Sequence, residues 1–181
     1  MIALDRRHML EGGAGLIGLS ALPSGALAAA AKKPPVLDAA GMALVTAVAD
    51  TLIPRTDTPG AAQVKVPATF DALMRDWANP AHRAAHLAAL KAIDADARAK
   101  AGKPFALLAA AQRKATLKAY DAAHFNADAD YTKLKDLLIS LYYITEVGST
   151  KELRYEHVPG AWEASNPLTK DTRAWGGWNV G

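Results

Sequence analysis

Proline and glycine divide the middle of this 181-residue chain at Pro54, Pro59-Gly60, Pro67, Asn79-Pro80, Gly102-Lys103-Pro104 and Gly148, and apolar residues recur three and four apart in the intervals between them. Proline has no backbone N–H to donate and pushes the residue before it out of the helical region, so a helix must begin or end at these points. The chain is therefore limited to short helices joined by loops. The spacing predicts a helix over 38–53, with Leu44, Val45, Val48 and Leu52 on an apolar face that continues from Leu37. A short helix follows over "PATFDALMRDW", with Pro67 in its first turn and Phe70, Leu73, Met74 and Trp77 on one side. Asn79-Pro80 opens a third, in which His82, His86, Leu90, Ile93 and Ala97 share a face. A fourth is expected over 106–124 with a thin stripe of Leu108, Ala111, Ala115 and Ala119. A fifth is expected over 131–147, with Leu134, Leu137, Leu138, Leu141 and Tyr142 inward and Gly148 as its C′ residue. Beyond Gly148 the helical period is lost. The expectation is all-α: about five helices in one small domain, residues 32–147, followed by a long irregular tail, 148–181.

The chemistry open to such a chain is narrow. It has no Cys, which excludes disulfides, thiolate zinc sites, iron–sulfur ligation and haem attachment through C-x-x-C-H. Its net charge is +3, and Lys and Arg are interspersed with Asp and Glu, so no basic block exists to neutralise a row of phosphates. Nucleic acid is set aside on that ground. No G-x-S-x-G or G-x-x-x-x-G-K-[ST] pattern occurs, and the one G-x-G-x-x-G spacing, Gly13-Ala14-Gly15-Leu16-Ile17-Gly18, falls in the uncharged run near the N-terminus and not between a strand and a helix of the body.

Two clusters invite a metal. His82 and His86 lie one turn apart, at the spacing of paired metal ligands, but no Glu follows His82 and no third ligand is implied. Two polar residues at the edge of the stripe that continues through Leu90 explain them better. A free-standing metal-binding or scaffold protein remains the alternative reading of the whole chain. Asp94, Asp96 and the run from Asp128 to Asp130 lack the alternating ligands, Gly and closing Glu of a calcium loop, so a solvated turn is expected there.

The first residues read as an address. A charged start containing Arg6-Arg7 precedes an uncharged run, 12–31, that is rich in Gly and Ala and interrupted by Pro23. Small residues at 26–30 suit cleavage, so residues 1–31 are expected to be a removable twin-arginine-like export signal, although Asp5 and Met9 depart from the usual flank. A permanent membrane anchor and a general secretory signal are the weaker alternatives. Removal of 1–31 takes two basic and two acidic residues and leaves the net charge unchanged. The periplasm is the expected location.

The tail is rich in Trp where the body holds only Trp77: Trp162, Trp175 and Trp178 fall after residue 160. Large aromatic side chains and Arg dominate interface energetics, so Arg154, Tyr155, Trp162, Arg173, Trp175 and Trp178 suggest that the tail is buried against another protein. A tail folded back on its own body is the competing reading.

With these stretches on view, "VADTLIPRTDTPGA" (48–61), "LYYITEVGSTKELRYEHVPG" (141–160) and the Arg6-Arg7 signal together resemble the gluconate 2-dehydrogenase subunit 3 family. The matching positions are Asp50, Ile53, Pro54, Thr56, Asp57, Pro59 and Gly60, and then Tyr142, Tyr143, Glu146, Gly148, Glu152, Leu153, Tyr155, Pro159 and Gly160. The resemblance implies a non-catalytic small subunit, without a cofactor of its own, in a periplasmic dehydrogenase of sugars or sugar acids. Its partner is a large flavoprotein of the glucose-methanol-choline type (GMC-type) that carries FAD, often with a multihaem cytochrome c as electron acceptor. That cytochrome would provide any attachment to the membrane. The small subunit supplies the signal read by the twin-arginine translocase and supports maturation and stability of the flavoprotein. The expected partner interface is Pro54, Asp57, Pro59, Gly60, Tyr142, Tyr143, Glu146, Gly148, Leu153, Arg154, Tyr155, Pro159 and Trp162.

Overall fold

The computed structural model describes residues 33–154, 165 and 167–174. Among these residues five α-helices run in order: α1 (Ala39–Leu52), α2 (Val66–Asp76), α3 (Pro80–Ala101), α4 (Ala110–His124) and α5 (Ala129–Tyr143), with a 3-10 turn at Phe105–Leu107 and a π turn at Gly148–Glu152. The all-α expectation holds. No helix among the described residues is long and apolar enough to cross a membrane.

Local chemistry sets the helix ends. The Asp38 carboxylate accepts from the Gly41 N–H at 2.7 Å, the Asn79 side chain from the His82 N–H at 2.8 Å, and Asp128 from the N–H groups of Asp130 and Tyr131. Each satisfies donors that a helix N-terminus leaves unpaired. Asp128 is thus a cap and not merely a solvated residue. Asp94 is engaged too: it accepts from the Phe105 N–H at 2.7 Å, clipping the 3-10 turn onto α3, and pairs with Arg98. Gly102 ends α3 at φ 69°, a left-handed conformation in which a side chain is strained.

Helix α1 sits at the centre, packed against all four other helices and the 3-10 turn. This explains the first departure from the expected pattern. Val45, Ala47, Val48 and Ala49 are all buried, whereas Leu44 and Leu52 are only half-buried. A helix surrounded on several sides buries successive residues instead of one stripe, and small Ala side chains let its neighbours approach. Around it the core is filled by Phe70, Met74, Leu90, Ile93, Phe105, Leu117, Tyr120, Tyr131, Leu134, Leu138 and Tyr142.

Three further expectations are corrected. Trp77 is 84% exposed and does not share the face of Phe70, because α2 closes at Asp76 and Trp77, at φ −120°, has left the helix. In α4 the alanines of the expected stripe are outside: Leu108, just before the helix, is buried as expected, but Ala111, Ala115 and Ala119 are exposed, and Leu117 and Tyr120 form the buried face. The helix begins at Ala110, and alanine, indifferent to burial, carries little periodic information beside a Leu and a Tyr three apart. Gly148 is not the C′ residue of α5, which ends at Tyr143; it is buried within the π turn that follows.

A buried carboxylate that the sequence pattern did not single out ties the residues just before α1 to α2. Asp71 on α2 is buried and accepts from both Val36 and Leu37 N–H groups, at 2.9 and 2.8 Å. Arg75, one turn on, lies 3.8 Å from its other oxygen. The chain entering α1 is thereby anchored to the side of α2.

Candidate functional site: the junction of two loops

The 53–65 loop is closed on itself. The Ala61 N–H returns to the Ile53 carbonyl at 3.0 Å, the Gly60 N–H meets the Gln63 side chain at 3.0 Å, and Thr58, Gly60 and Ala61 are buried. Gly60 is required by close approach: a Cβ there would lie 2.6 Å from the Arg55 nitrogen and 2.9 Å from the Ile53 oxygen. Such separations are below van der Waals contact, and the obstacle is backbone rather than a movable side chain.

The chain leaving α5 is shaped in the same way. Thr145 donates through both N–H and hydroxyl to the Tyr142 carbonyl and accepts from the Gly148 N–H at 3.1 Å. This draws Gly148 against the end of α5, where a Cβ would clash with the Tyr142 carbonyl and lie 2.8 Å from the Tyr143 Cα. The Leu153 N–H then bonds to the Gly148 carbonyl at 3.0 Å and closes the π turn.

Two hydrogen bonds join these segments. The Tyr142 hydroxyl donates to the Pro59 carbonyl at 3.0 Å, and the Thr58 hydroxyl donates to Glu152 Oε2 at 2.7 Å. The partners are 83 and 94 residues apart in sequence. Tyr142 keeps its ring in the core, edge-on to Tyr143 at 5.3 Å. Burial, then the nearby Glu152 carboxylate, raise the Tyr143 pKa above its ordinary value.

The described part of the tail lies on this junction. Arg173 donates to the Lys151 carbonyl and, at 3.4 Å, to that of Glu152; its guanidinium is 3.5 Å from Asp57 and 4.0 Å from Glu152. The Arg154 N–H donates to the Ala174 carbonyl at 2.8 Å. A hydrogen bond from the Thr56 hydroxyl, and to a lesser degree the Arg173 charge, hold the Asp57 carboxyl below the usual carboxylate range. Between tail and body an open cleft of about 530 Å³ is lined by Asp57, Tyr143, Leu153 and the residues around Arg173.

The residues expected to form a partner interface divide by burial. Gly60, Tyr142 and Gly148 are buried in the chain's own fold, Tyr142 at 1% exposure, and shape the junction from within. Pro54, Asp57, Glu146 and Arg154 are exposed around it, and Pro59, Tyr143 and Leu153 are half-exposed between them. Tyr155, Pro159, Trp162, Arg6 and Arg7 lie outside the described residues. Sequence reasoning missed Thr58 as a contact, although it lies within the first motif.

The histidine pair is elsewhere. His82 is exposed at the start of α3, and His86 is half-buried with its ring edge-on to Phe70, 6.4 Å between centroids. Burial first, and His82 second, lower the His86 pKa below its ordinary value. Among the described residues no group of three or more His, Asp or Glu side chains could hold a metal ion.

Fold and junction define a small all-α domain whose most elaborated feature is the meeting of two distant loops. The chain belongs to the gluconate 2-dehydrogenase subunit 3 family, whose model matches residues 39–160. That match takes in both loops and all five helices. No curated protein and no solved structure matches the chain.

Proposed function

We propose that this chain is the non-catalytic small subunit of a periplasmic FAD-dependent dehydrogenase of sugars or sugar acids. It binds the GMC-type flavoprotein, carries it through the twin-arginine translocase on its own Arg6-Arg7 signal, and stabilises it afterwards. FAD belongs to the partner in this reading, with a multihaem cytochrome c accepting the electrons.

The observation that carries the proposal is the family match across both halves of the junction. A dehydrogenase subunit without redox chemistry of its own must act by contact, and the junction has the anatomy of a contact surface. Its half-exposed centre is Pro59, Tyr143 and Leu153, and its exposed rim is Pro54, Asp57, Glu146 and Arg154. Apolar and aromatic groups at the centre with polar ones around them are how protein interfaces are built. Gly60 and Gly148 make that surface possible, since each lets backbone approach backbone more closely than any side chain permits.

Expression of the flavoprotein with and without this chain tests the proposal. The expected result without it is a flavoprotein retained in the cytoplasm and poor in flavin. Normal export and full activity in its absence would overturn the reading.

A further inference from the structure

We propose that residues 167–174 form a displaceable strap, closed over the junction by Arg173 in the free chain and lifted from it when the partner docks. The docking half of this proposal rests on the function proposed above; the closed strap of the free chain does not.

The strap is held by polar contacts at one end. Arg173 reaches the Lys151 and Glu152 carbonyls and the Asp57 and Glu152 carboxylates, and the Ala174 carbonyl accepts from Arg154. The ion pairs are open to water: the Asp57 side chain is 78% exposed and that of Arg173 43%. Exposed pairs of this kind contribute little and weaken with salt. Leu168 is 88% exposed, so this strap residue buries little apolar surface. The strap also carries its own turn, in which the Thr169 N–H donates to the Thr172 hydroxyl at 2.8 Å and the Thr172 N–H to the Thr169 carbonyl at 3.1 Å. It can lift as a unit without losing that turn.

What lies beneath is not held by the strap. The Thr58–Glu152 and Tyr142–Pro59 hydrogen bonds join the two loops independently of it. The open cleft beneath it shows that the strap spans the surface instead of packing into it. Lifting it uncovers Tyr143 and Leu153 and removes the Arg173 charge from Asp57 and Glu152, one carboxylate from each loop, while Thr56 and Thr58 keep their hydrogen bonds to them. A closed strap thus shields the half-apolar centre of the junction while no partner is present, and its weak anchorage makes the exchange of occupants inexpensive.

Hydrogen exchange on the full free chain tests the strap directly. In Arg173→Ala the Arg154 amide should exchange about tenfold faster, while the Leu153 amide, bonded to Gly148, keeps its wild-type rate. Raising salt towards ~1 M should shift wild type in the same direction. An unchanged Arg154 rate, or an equal acceleration at Leu153, would overturn the strap. For docking, Arg173→Ala should bind the flavoprotein at least as fast as wild type; slower or weaker binding would make Arg173 a fixed part of the interface and defeat displacement. Failure of the wild-type chain to bind any flavoprotein would defeat the docking half together with the proposed function, with the exchange data still judging the strap alone.

Discussion

The helical body and the loop junction are held together by different physics. In the body, buried residues such as Phe70, Ile93 and Leu134 pack from every helix around α1, and no single polar contact decides the arrangement. At the junction two loops far apart in sequence are fixed by two side-chain hydrogen bonds and two glycines that backbone crowds from outside. Burial is graded and tolerates exchange of one apolar residue for another. Close backbone approach tolerates almost nothing. The lesson is that this family member's most demanding local geometry lies in loops and not in its helices.

Four changes separate the two regions. Phe70→Ala should cost the most, about 3–5 kcal/mol of unfolding free energy, read by denaturant titration as loss of the whole helical signal. A cost near zero would mean that α2 does not anchor the core. Gly148→Ala should cost roughly 1–3 kcal/mol by overpacking. Its distinguishing feature is locality: amide protection should fall at Gly148–Glu152 and around Thr58 while α3 keeps its protection. A uniform loss across the helices would merge junction and body into one unit. Tyr142→Phe keeps the buried ring and removes only the bond to Pro59, so about 0.5–1.5 kcal/mol is expected, with the loop at 56–60 loosened. Trp77→Ala, at an exposed helix end, should fall within about ±0.5 kcal/mol, and a larger loss would contradict its placement outside the core.

A pH experiment sharpens the same contrast in the body. Burial raises the Asp121 pKa, but the hydrogen bonds from Lys135 at 2.6 Å and Tyr131 at 2.9 Å outweigh it and hold the carboxyl below its ordinary value. A carboxylate depressed in the folded state stabilises above its unfolded pKa of ~3.9, and that contribution is lost as pH falls through the folded value. The α4–α5 clasp should therefore loosen only in strong acid. For Tyr131, burial and then Asp121 raise the pKa, so its contribution is intact below ~10 and lost as pH rises beyond that. Stability curves of wild type and Asp121→Asn should converge at low pH; parallel curves would deny Asp121 this role.

The sequence made the body legible because breakers and caps act locally. Asn79-Pro80 opened α3 and Gly102 closed it as expected, since each does its work within one turn. Alanine defeated the same method in α4, where the wrong face was assigned, and a helix centred among four others defeated the single-stripe rule in α1. At the junction the residues were visible through family resemblance but their roles were not. Tyr142, Gly60 and Gly148 look like surface contacts in a motif and prove to be internal. The Thr58–Glu152 bond depends on two loops meeting across 94 positions, for which no local pattern exists. Asp71 had no signal at all beyond an acidic residue within an otherwise apolar helix face.

The proposed function makes this chain the bound companion of a flavoprotein. Its most direct test is purification of the tagged full-length chain from its native host, with size and flavin absorbance recorded on the same peak. The account predicts a stoichiometric complex with a larger, yellow partner. A colourless peak at the size of the single chain, with no partner in it, would contradict it.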